Sequence, residues 1–161
     1  MLTDTKAQVF SLKAPLLSSG NQDTPLYTTD LMWMHVKVYA EGGENDLHAH
    51  PEEEHSFIVL DGEATFVDAD GTETKVTRNE GILLPKGTYY RFRNTSDINL
   101  VMLRIGCGSN SRIPGKADER RGPDGQPLRN NPSQVALGRT KPVPTGKFFG
   151  EERKAQEPGG L

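Results

Sequence analysis

The feature that most constrains this sequence is a succession of short β-prone runs between Leu31 and Gly106, separated by turn residues. No stretch in this region repeats at the helical period of about 3.6 residues, so helices are not expected here. Many short strands at this spacing are typical of a sandwich or a small barrel, and the sequence therefore predicts an all-β domain. The expected strands cover residues 32–39, 55–60, 64–67, 73–77, 81–84, 88–93 and 99–105, with the last two paired across a turn.

The 161 residues suit a single domain of ordinary size. We predict an irregular N-terminal segment at residues 1–30, the β domain at 31–106, and a Gly/Pro-rich C-terminal tail or arm at 107–161. In that tail Gly, Pro, Asn, Lys and Arg dominate and apolar residues are sparse. A solvated extension is the expected state of such a composition, and contact with a neighbouring subunit is the alternative.

Charge and targeting signals narrow the range of partners. The formal net charge of -3 provides no basic excess for nucleic-acid binding, so a small molecule is the expected partner. The N-terminus lacks a basic start followed by a long apolar run, and no apolar run approaches membrane-spanning length, which predicts a cytoplasmic protein. The single cysteine, Cys107, excludes an internal disulfide and a CxxC zinc site, and we expect it to be buried.

The most suggestive motif for chemistry is His48-Ala49-His50. Side chains two residues apart on a strand project from the same face, so the two imidazoles can bind one ion. Imidazole nitrogen suits zinc, iron, copper and nickel better than magnesium or calcium. The alternative is a pair of surface histidines beside acidic neighbours, because HxH alone is a weak signal.

The residues around this motif resemble the first motif of the cupin superfamily: Gly42, five intervening residues, His48-Ala49-His50, and Gly62 at the end of the next strand. The stretch from Pro85 through Gly87 to Asn94 resembles the second motif. The resemblance covers roughly residues 31–106 and implies a jelly-roll β-barrel. In metal-binding cupins, two histidines and a glutamate of the first motif join one histidine of the second motif around a divalent ion.

This sequence departs from the family pattern at the glutamate of the first motif. Counting back from Gly62, that position is held by His55, and Glu54 lies one residue earlier. In a regular strand His55, Phe57 and Val59 share the inner face, whereas a bulge would turn Glu54 inward. We therefore expect His48, His50 and His55 to hold the metal, with Glu54 left as a partner of the ligands or as a general base.

The second motif departs from the pattern as well. Tyr90 replaces its histidine, and Asn79 replaces its opening glycine. Tyr90 is a candidate catalytic residue that either ligates the metal as phenolate or donates a hydrogen bond to substrate as phenol. An uncoordinated tyrosine is the simpler alternative.

Further residues are candidates for a substrate pocket inside the barrel. His35, Phe57 and Met102 provide aromatic and soft apolar surface, and Arg91 offers two donors to a carboxylate. The alternatives are an ordinary strand histidine at His35 and a solvent-facing arginine at Arg91.

The resemblance implies a metal-dependent enzyme that acts on a small oxygenated or anionic organic molecule. Histidine-rich cupin sites are similar to those of non-haem iron dioxygenases, so Fe(II) and oxygenative cleavage are the first expectation, with Zn, Mn, Ni or Cu as alternative metals. Redox-neutral lyase, isomerase or decarboxylase chemistry is one alternative function, and non-catalytic binding of a small molecule is another. Cupins of this size commonly pair through their barrel faces, which implies a homodimer.

Overall fold

The computed structural model describes residues 5–108, 118–128 and 141–151. These ranges contain eleven β-strands, and the predicted all-β fold is confirmed. The strands are β1 (Pro15–Ser19), β2 (Asn21–Thr28), β3 (Met32–Tyr39), β4 (Gly43–His48), β5 (Glu53–Asp61), β6 (Glu63–Val67), β7 (Glu73–Thr77), β8 (Gly81–Leu84), β9 (Tyr90–Asn94), β10 (Leu100–Gly108) and β11 (Val143–Phe148).

Two antiparallel sheets make up the body of the fold. One has five strands in the order β2-β3-β10-β5-β8, and the other has four strands in the order β4-β9-β6-β7. The chain crosses repeatedly between the sheets, which is the arrangement of a jelly roll and confirms that prediction. Within the described ranges, the two sheets are not joined by hydrogen bonds into a closed barrel.

The predicted pairing of residues 88–93 with 99–105 is wrong. β9 pairs with β4 and β6, whereas β10 pairs with β3 and β5 in the opposite sheet. The intervening turn carries the chain across the sandwich, and Asn94 fixes it by donating from Nδ2 to the carbonyl oxygens of Tyr39 and Ile98 at 3.0 and 2.9 Å. A local sequence pattern cannot distinguish such a crossing from a hairpin.

The core lies between the two sheets because alternate residues of each strand face inward. On β5, Phe57 and Val59 are fully buried, while the alternate residues Ser56 and Ile58 are half-buried. Burying a side chain the size of Phe57 stabilises the fold by about 1.5–3 kcal/mol. The main cluster combines residues of both sheets: Tyr39, Phe57, Val59, Ala64, Phe66, Val76, Leu84, Tyr90, Phe92, Leu100 and Met102.

The structure differs from the prediction at the N-terminal segment, which contains β1 and β2. The polar run that opens β2 shows no alternation of apolar residues, and Pro25 interrupts it, so the strand has no clear sequence signal. β2 lies at the edge of the five-stranded sheet, the position where a strand tolerates proline.

Parts of the predicted C-terminal tail pack against the fold. β11 pairs with β1, and Arg121 forms a two-way backbone bridge with Ala49, with N to O distances of 2.9 and 3.0 Å. Cys107 is exposed rather than buried, because it lies on the solvent-facing side near the end of β10. Within the described ranges no helix is long and apolar enough to cross a membrane.

Two turns place the strands that carry the site. Asn79 adopts a φ of 68°, a left-handed conformation that asparagine tolerates better than most residues. Asparagine can therefore occupy the position at which the cupin motif has glycine. Gly87 has a φ of 79° and donates its N–H to the carbonyl oxygen of His50 at 2.9 Å. This hydrogen bond joins the turn before β9 to the histidine motif.

Candidate metal centre

Three buried histidines meet inside one end of the jelly roll. His48 ends β4, His50 follows it, and His55 lies on β5. The ring centroids of His50 and His55 are 3.8 Å apart, and those of His48 and His50 are 5.2 Å apart. His55 faces inward and Glu54 is exposed, which is the register that the count from Gly62 predicts.

Each of the three imidazoles has one ring nitrogen hydrogen-bonded to an oxygen acceptor. Such a bond fixes which nitrogen carries the hydrogen and leaves the other nitrogen with a lone pair. The pairs are His48 Nδ1 with the carbonyl oxygen of Asp46 at 2.7 Å, His50 Nδ1 with Glu119 Oε1 at 2.7 Å, and His55 Nε2 with Glu53 Oε2 at 3.0 Å. The nitrogens left with lone pairs are therefore Nε2 of His48, Nε2 of His50 and Nδ1 of His55.

The environment keeps these imidazoles neutral. Burial lowers the pKa of His48 and of His50, and it lowers the pKa of His55 to about 4. The positive charge of Arg104 acts in the same direction on all three. Neutral imidazole is the form that binds a metal ion.

Arg104 of β10 lies among the histidines and was missed by the sequence analysis. Its Nη2 atom donates toward His50 Nε2 at 3.2 Å, His55 Nδ1 at 3.1 Å and the hydroxyl of Tyr90 at 3.0 Å. Its Nη1 atom donates to Glu44 Oε1 at 2.9 Å. The side chain is only 3% exposed, so a buried guanidinium faces two of the three predicted ligands.

The guanidinium belongs to a network of buried charges. Glu44 Oε1 also accepts from Lys37 Nζ, and although burial opposes ionisation, Arg104 and Lys37 hold the pKa of Glu44 well below its usual value. Glu44 Oε2 and His48 Nε2 lie 3.7 Å apart, and neither has a hydrogen-bond partner in the described part of the chain. A charged carboxylate therefore balances the cations beside the histidines.

The donor set fits a divalent transition metal. Among the described residues, none donates a hydrogen bond to the buried lone pair of His48 Nε2, and a cation would satisfy it. One ligand atom each from His50, Glu53 and His55 lies within 4.8 Å of the others, so Glu53 is a candidate ligand beside these two histidines, and His48 lies outside this group. Carboxylates that hold the far nitrogen of a ligating histidine are common around metal sites, and Glu119 makes such a contact to His50.

Two predicted site residues lie elsewhere. Glu54 projects from the outer face of β5 and is exposed, because the side chains of a strand alternate; the same alternation turns Glu53 inward beside His55. The structure therefore does not bring Glu54, the predicted catalytic residue, to the histidine cluster. Arg91 is likewise exposed on β9 between buried Tyr90 and Phe92, so it does not line an interior pocket.

The other predicted pocket residues are inside. Phe57 and Met102 are fully buried in the core cluster, and the guanidinium carbon of Arg104 lies 5.3 Å from the Phe57 ring centroid. His35 is the register partner of Arg104 on β3, and its Nδ1 atom pairs with Asp23 at 2.6 Å. It belongs to the charge network rather than to the three-histidine cluster.

Tyr90 lies beside the histidines as a neutral phenol. Its ring centroid is 4.6 Å from that of His48, and its hydroxyl oxygen accepts from Arg104. Burial raises the pKa of Tyr90 above its usual value. The phenol form is therefore the one that the site holds.

The segment at residues 118–128 covers one side of the cluster. Besides its bond to His50, Glu119 accepts the backbone N–H of Glu52 through Oε2 at 2.9 Å. Tyr89 donates its hydroxyl hydrogen to the carbonyl oxygen of Gly122 at 3.0 Å. No local sequence signal indicated this segment, because its partners His50, Glu52 and Tyr89 lie 69, 67 and 33 residues earlier in the chain.

Fold and site together define a jelly-roll protein with a histidine cluster in its interior. Residues 35–106 match the model of the cupin domain family. The cupin resemblance inferred from the two motifs is confirmed.

Two curated proteins and a solved structure are similar to parts of this chain. The uncharacterized protein YdbB of Bacillus subtilis is 45% identical over 60 residues, covering 37% of this chain and 52% of that protein. Protein SchB of Streptomyces halstedii is 35% identical over 66 residues, covering 41% of this chain and 47% of that protein. The matches thus span about half the length of these relatives. A Klebsiella pneumoniae protein with a double-stranded β-helix domain superposes with a TM-score of 0.57 at 18% identity, covering 68% of this chain and 92% of that one.

Proposed function

We propose that this cupin is a metal-dependent enzyme that acts on a small oxygenated or anionic organic molecule. The observation that supports the proposal is the set of three buried imidazoles, each anchored through one nitrogen and directing the lone pair of the other into the interior. His48, His50 and His55 would hold a divalent transition metal, with Fe(II) as the first expectation.

The remaining residues of the site have roles that follow from their contacts. Glu53 and Glu119 orient the imidazoles, and the burial of both carboxylates keeps competing water away from these bonds. Tyr90 accepts a hydrogen bond from Arg104, which leaves its own hydroxyl hydrogen for a substrate oxygen. Arg104 supplies the positive charge that favours an anionic substrate.

When bound, a metal with an open coordination position would polarise substrate oxygens and, if it is iron, activate dioxygen. An oxygenative reaction is therefore our first proposal. The neutral phenol of Tyr90 favours a second candidate, a redox-neutral lyase or isomerase reaction, because a phenol beside the histidines can return a proton to an enolate.

The test is a titration of metal-free protein with Mn(II), Co(II) and Zn(II), and with Fe(II) under anaerobic conditions. Isothermal titration calorimetry measures the binding of each ion. We expect one ion per chain in the wild type and loss of binding in His48→Ala. His35→Gln is the matched control, because it removes the one histidine outside the cluster. Equal binding by wild type and His48→Ala would refute the metal site.

Reaction class is tested separately on the loaded protein. Oxygen uptake with diketones, catechols or hydroxy acids supports the oxygenative reaction. Conversion of such compounds without oxygen uptake supports the redox-neutral one. Stoichiometric metal binding with no conversion of any compound would favour a non-catalytic binding protein.

A further inference from the structure

Arg104 occupies the lone pairs that a metal would use. The hydrogen of His50 Nδ1 is held by Glu119, and the hydrogen of His55 Nε2 is held by Glu53. Each ring therefore has a single lone pair left, at His50 Nε2 and at His55 Nδ1. Both of these atoms are the partners of Arg104 Nη2, at 3.2 and 3.1 Å.

A nitrogen with one lone pair cannot accept a hydrogen bond and bind a metal at the same time. A metal such as zinc would lie about 2.0–2.1 Å from each nitrogen, along the direction that the guanidinium now uses. A divalent ion and a guanidinium in contact would also repel each other in this buried setting. Metal and Arg104 therefore exclude each other at two of the three histidines.

The structure also offers a position to which the guanidinium can move. Arg104 already bonds Glu44 Oε1 through Nη1, while Glu44 Oε2 and Arg104 Nε are both buried without partners in the described part of the chain. Rotation of the guanidinium so that Nε and Nη2 both face Glu44 would pair Nε with Oε2 and give the two-point contact that arginine and carboxylate favour. The imidazoles would then be free to bind the ion.

We propose that Arg104 is an internal cation that competes with the metal for His50 and His55, so that metal binding exchanges one cation for another. The proposal rests on the metal-dependent function proposed above. It makes Arg104 a residue that sets metal affinity, with Tyr90 as the acceptor that helps to hold the guanidinium on the imidazoles.

The experiment compares the affinity of metal-free wild type, Arg104→Met and Tyr90→Phe for Zn(II) and Co(II) by calorimetry. Methionine keeps most of the length and apolar contact of the arginine stem, and Lys37 remains to balance Glu44. We expect Arg104→Met to bind about tenfold tighter or more, because the metal no longer displaces a charge-assisted hydrogen bond. Arg93→Met, which removes an exposed arginine paired with Glu73, is the matched control and should leave the affinity unchanged.

Tyr90→Phe keeps the proposal testable if Arg104→Met does not fold. It preserves the buried ring and removes one of the three acceptors of Nη2, so it should also bind metal more tightly. A metal-ligating tyrosine would give the opposite result, since its loss would weaken binding.

The outcomes separate this inference from the proposed function. Metal binding by Arg104→Met or Tyr90→Phe that exceeds that of the wild type supports the competition. Binding that depends on His48 in the wild type but is equal or weaker in both variants overturns the competition and leaves the metal site standing. Absence of binding in wild type and in both variants overturns both proposals.

Discussion

Replacing Glu119 by glutamine tests how a residue outside the β-sandwich controls a histidine within it. The Glu119 carboxylate accepts two N–H groups, one from His50 Nδ1 at 2.7 Å and one from the backbone of Glu52 at 2.9 Å. A glutamine of the same shape offers an oxygen to only one of them. Its NH₂ group would either face another donor or force His50 to move its hydrogen to Nε2, the nitrogen that would bind the metal.

The expected cost follows from these two bonds. Glu119 is only 9% exposed, so solvent does not replace the lost acceptor. Removing an outer carboxylate from a ligating histidine typically lowers metal affinity by about 10–100-fold, which corresponds to roughly 1.4–2.7 kcal/mol. The lost hydrogen bond should also destabilise the metal-free protein by about 1–2 kcal/mol, which lowers the melting temperature by roughly 2–8 °C.

Calorimetric titration with Zn(II) and thermal unfolding measure the two effects. Glu54→Gln is the matched control, because it makes the same chemical change on the exposed face of β5 and should alter neither quantity. If Glu119→Gln bound metal as tightly as the wild type and unfolded at the same temperature, Glu119 would not fix the orientation of His50, and the role assigned to residues 118–128 would be withdrawn.

Substitutions at four further positions probe the site and the strands around it. Glu53→Gln should lower Zn(II) affinity by about 10–100-fold, since Glu53 anchors His55 as Glu119 anchors His50; unchanged affinity would contradict that role. Arg91→Gln should leave metal affinity and activity unchanged, because its side chain is exposed; a loss of either would place it in the site. Gly106→Ala should cost about 1–3 kcal/mol and shift the emission of Trp33, the single tryptophan, because the added carbon would lie 2.2 Å from the Trp33 ring; an unchanged spectrum and melting curve would argue against this contact. Asn79→Val should cost about 1–2 kcal/mol in urea unfolding and Asn79→Gly almost nothing, because the φ of 68° penalises a branched side chain; equal midpoints would argue against a left-handed turn.

The alternation of inward-facing and outward-facing residues along a strand explains which features of the fold and the site could be predicted from the sequence. It located β7 and β8 to the residue and placed His55 inside the fold. The same alternation also predicts that Glu53, two residues before His55, and Arg104, two residues after Met102, face the interior. These two residues were missed because a charged side chain ordinarily faces solvent, although the alternation of residues along the strand places both inside the fold.

Other parts of the molecule could not be predicted in this way. β2 has no alternating pattern, and its place at the edge of the sheet depends on pairing with β3. The turn after Asn94 joins strands of opposite sheets, which local residues do not specify. Glu119 reaches His50 across 69 residues, a contact that depends on the completed fold.

The contact between Glu119 and His50 also matters for comparisons among proteins that share the cupin domain. The family match ends at residue 106, yet a carboxylate that orients a core histidine lies thirteen residues beyond it, at position 119. Comparison of the shared core alone would overlook this carboxylate, which determines the nitrogen that His50 offers. A change confined to the segment that follows the core could therefore alter the metal-binding nitrogen of His50 without any change in the histidine motif.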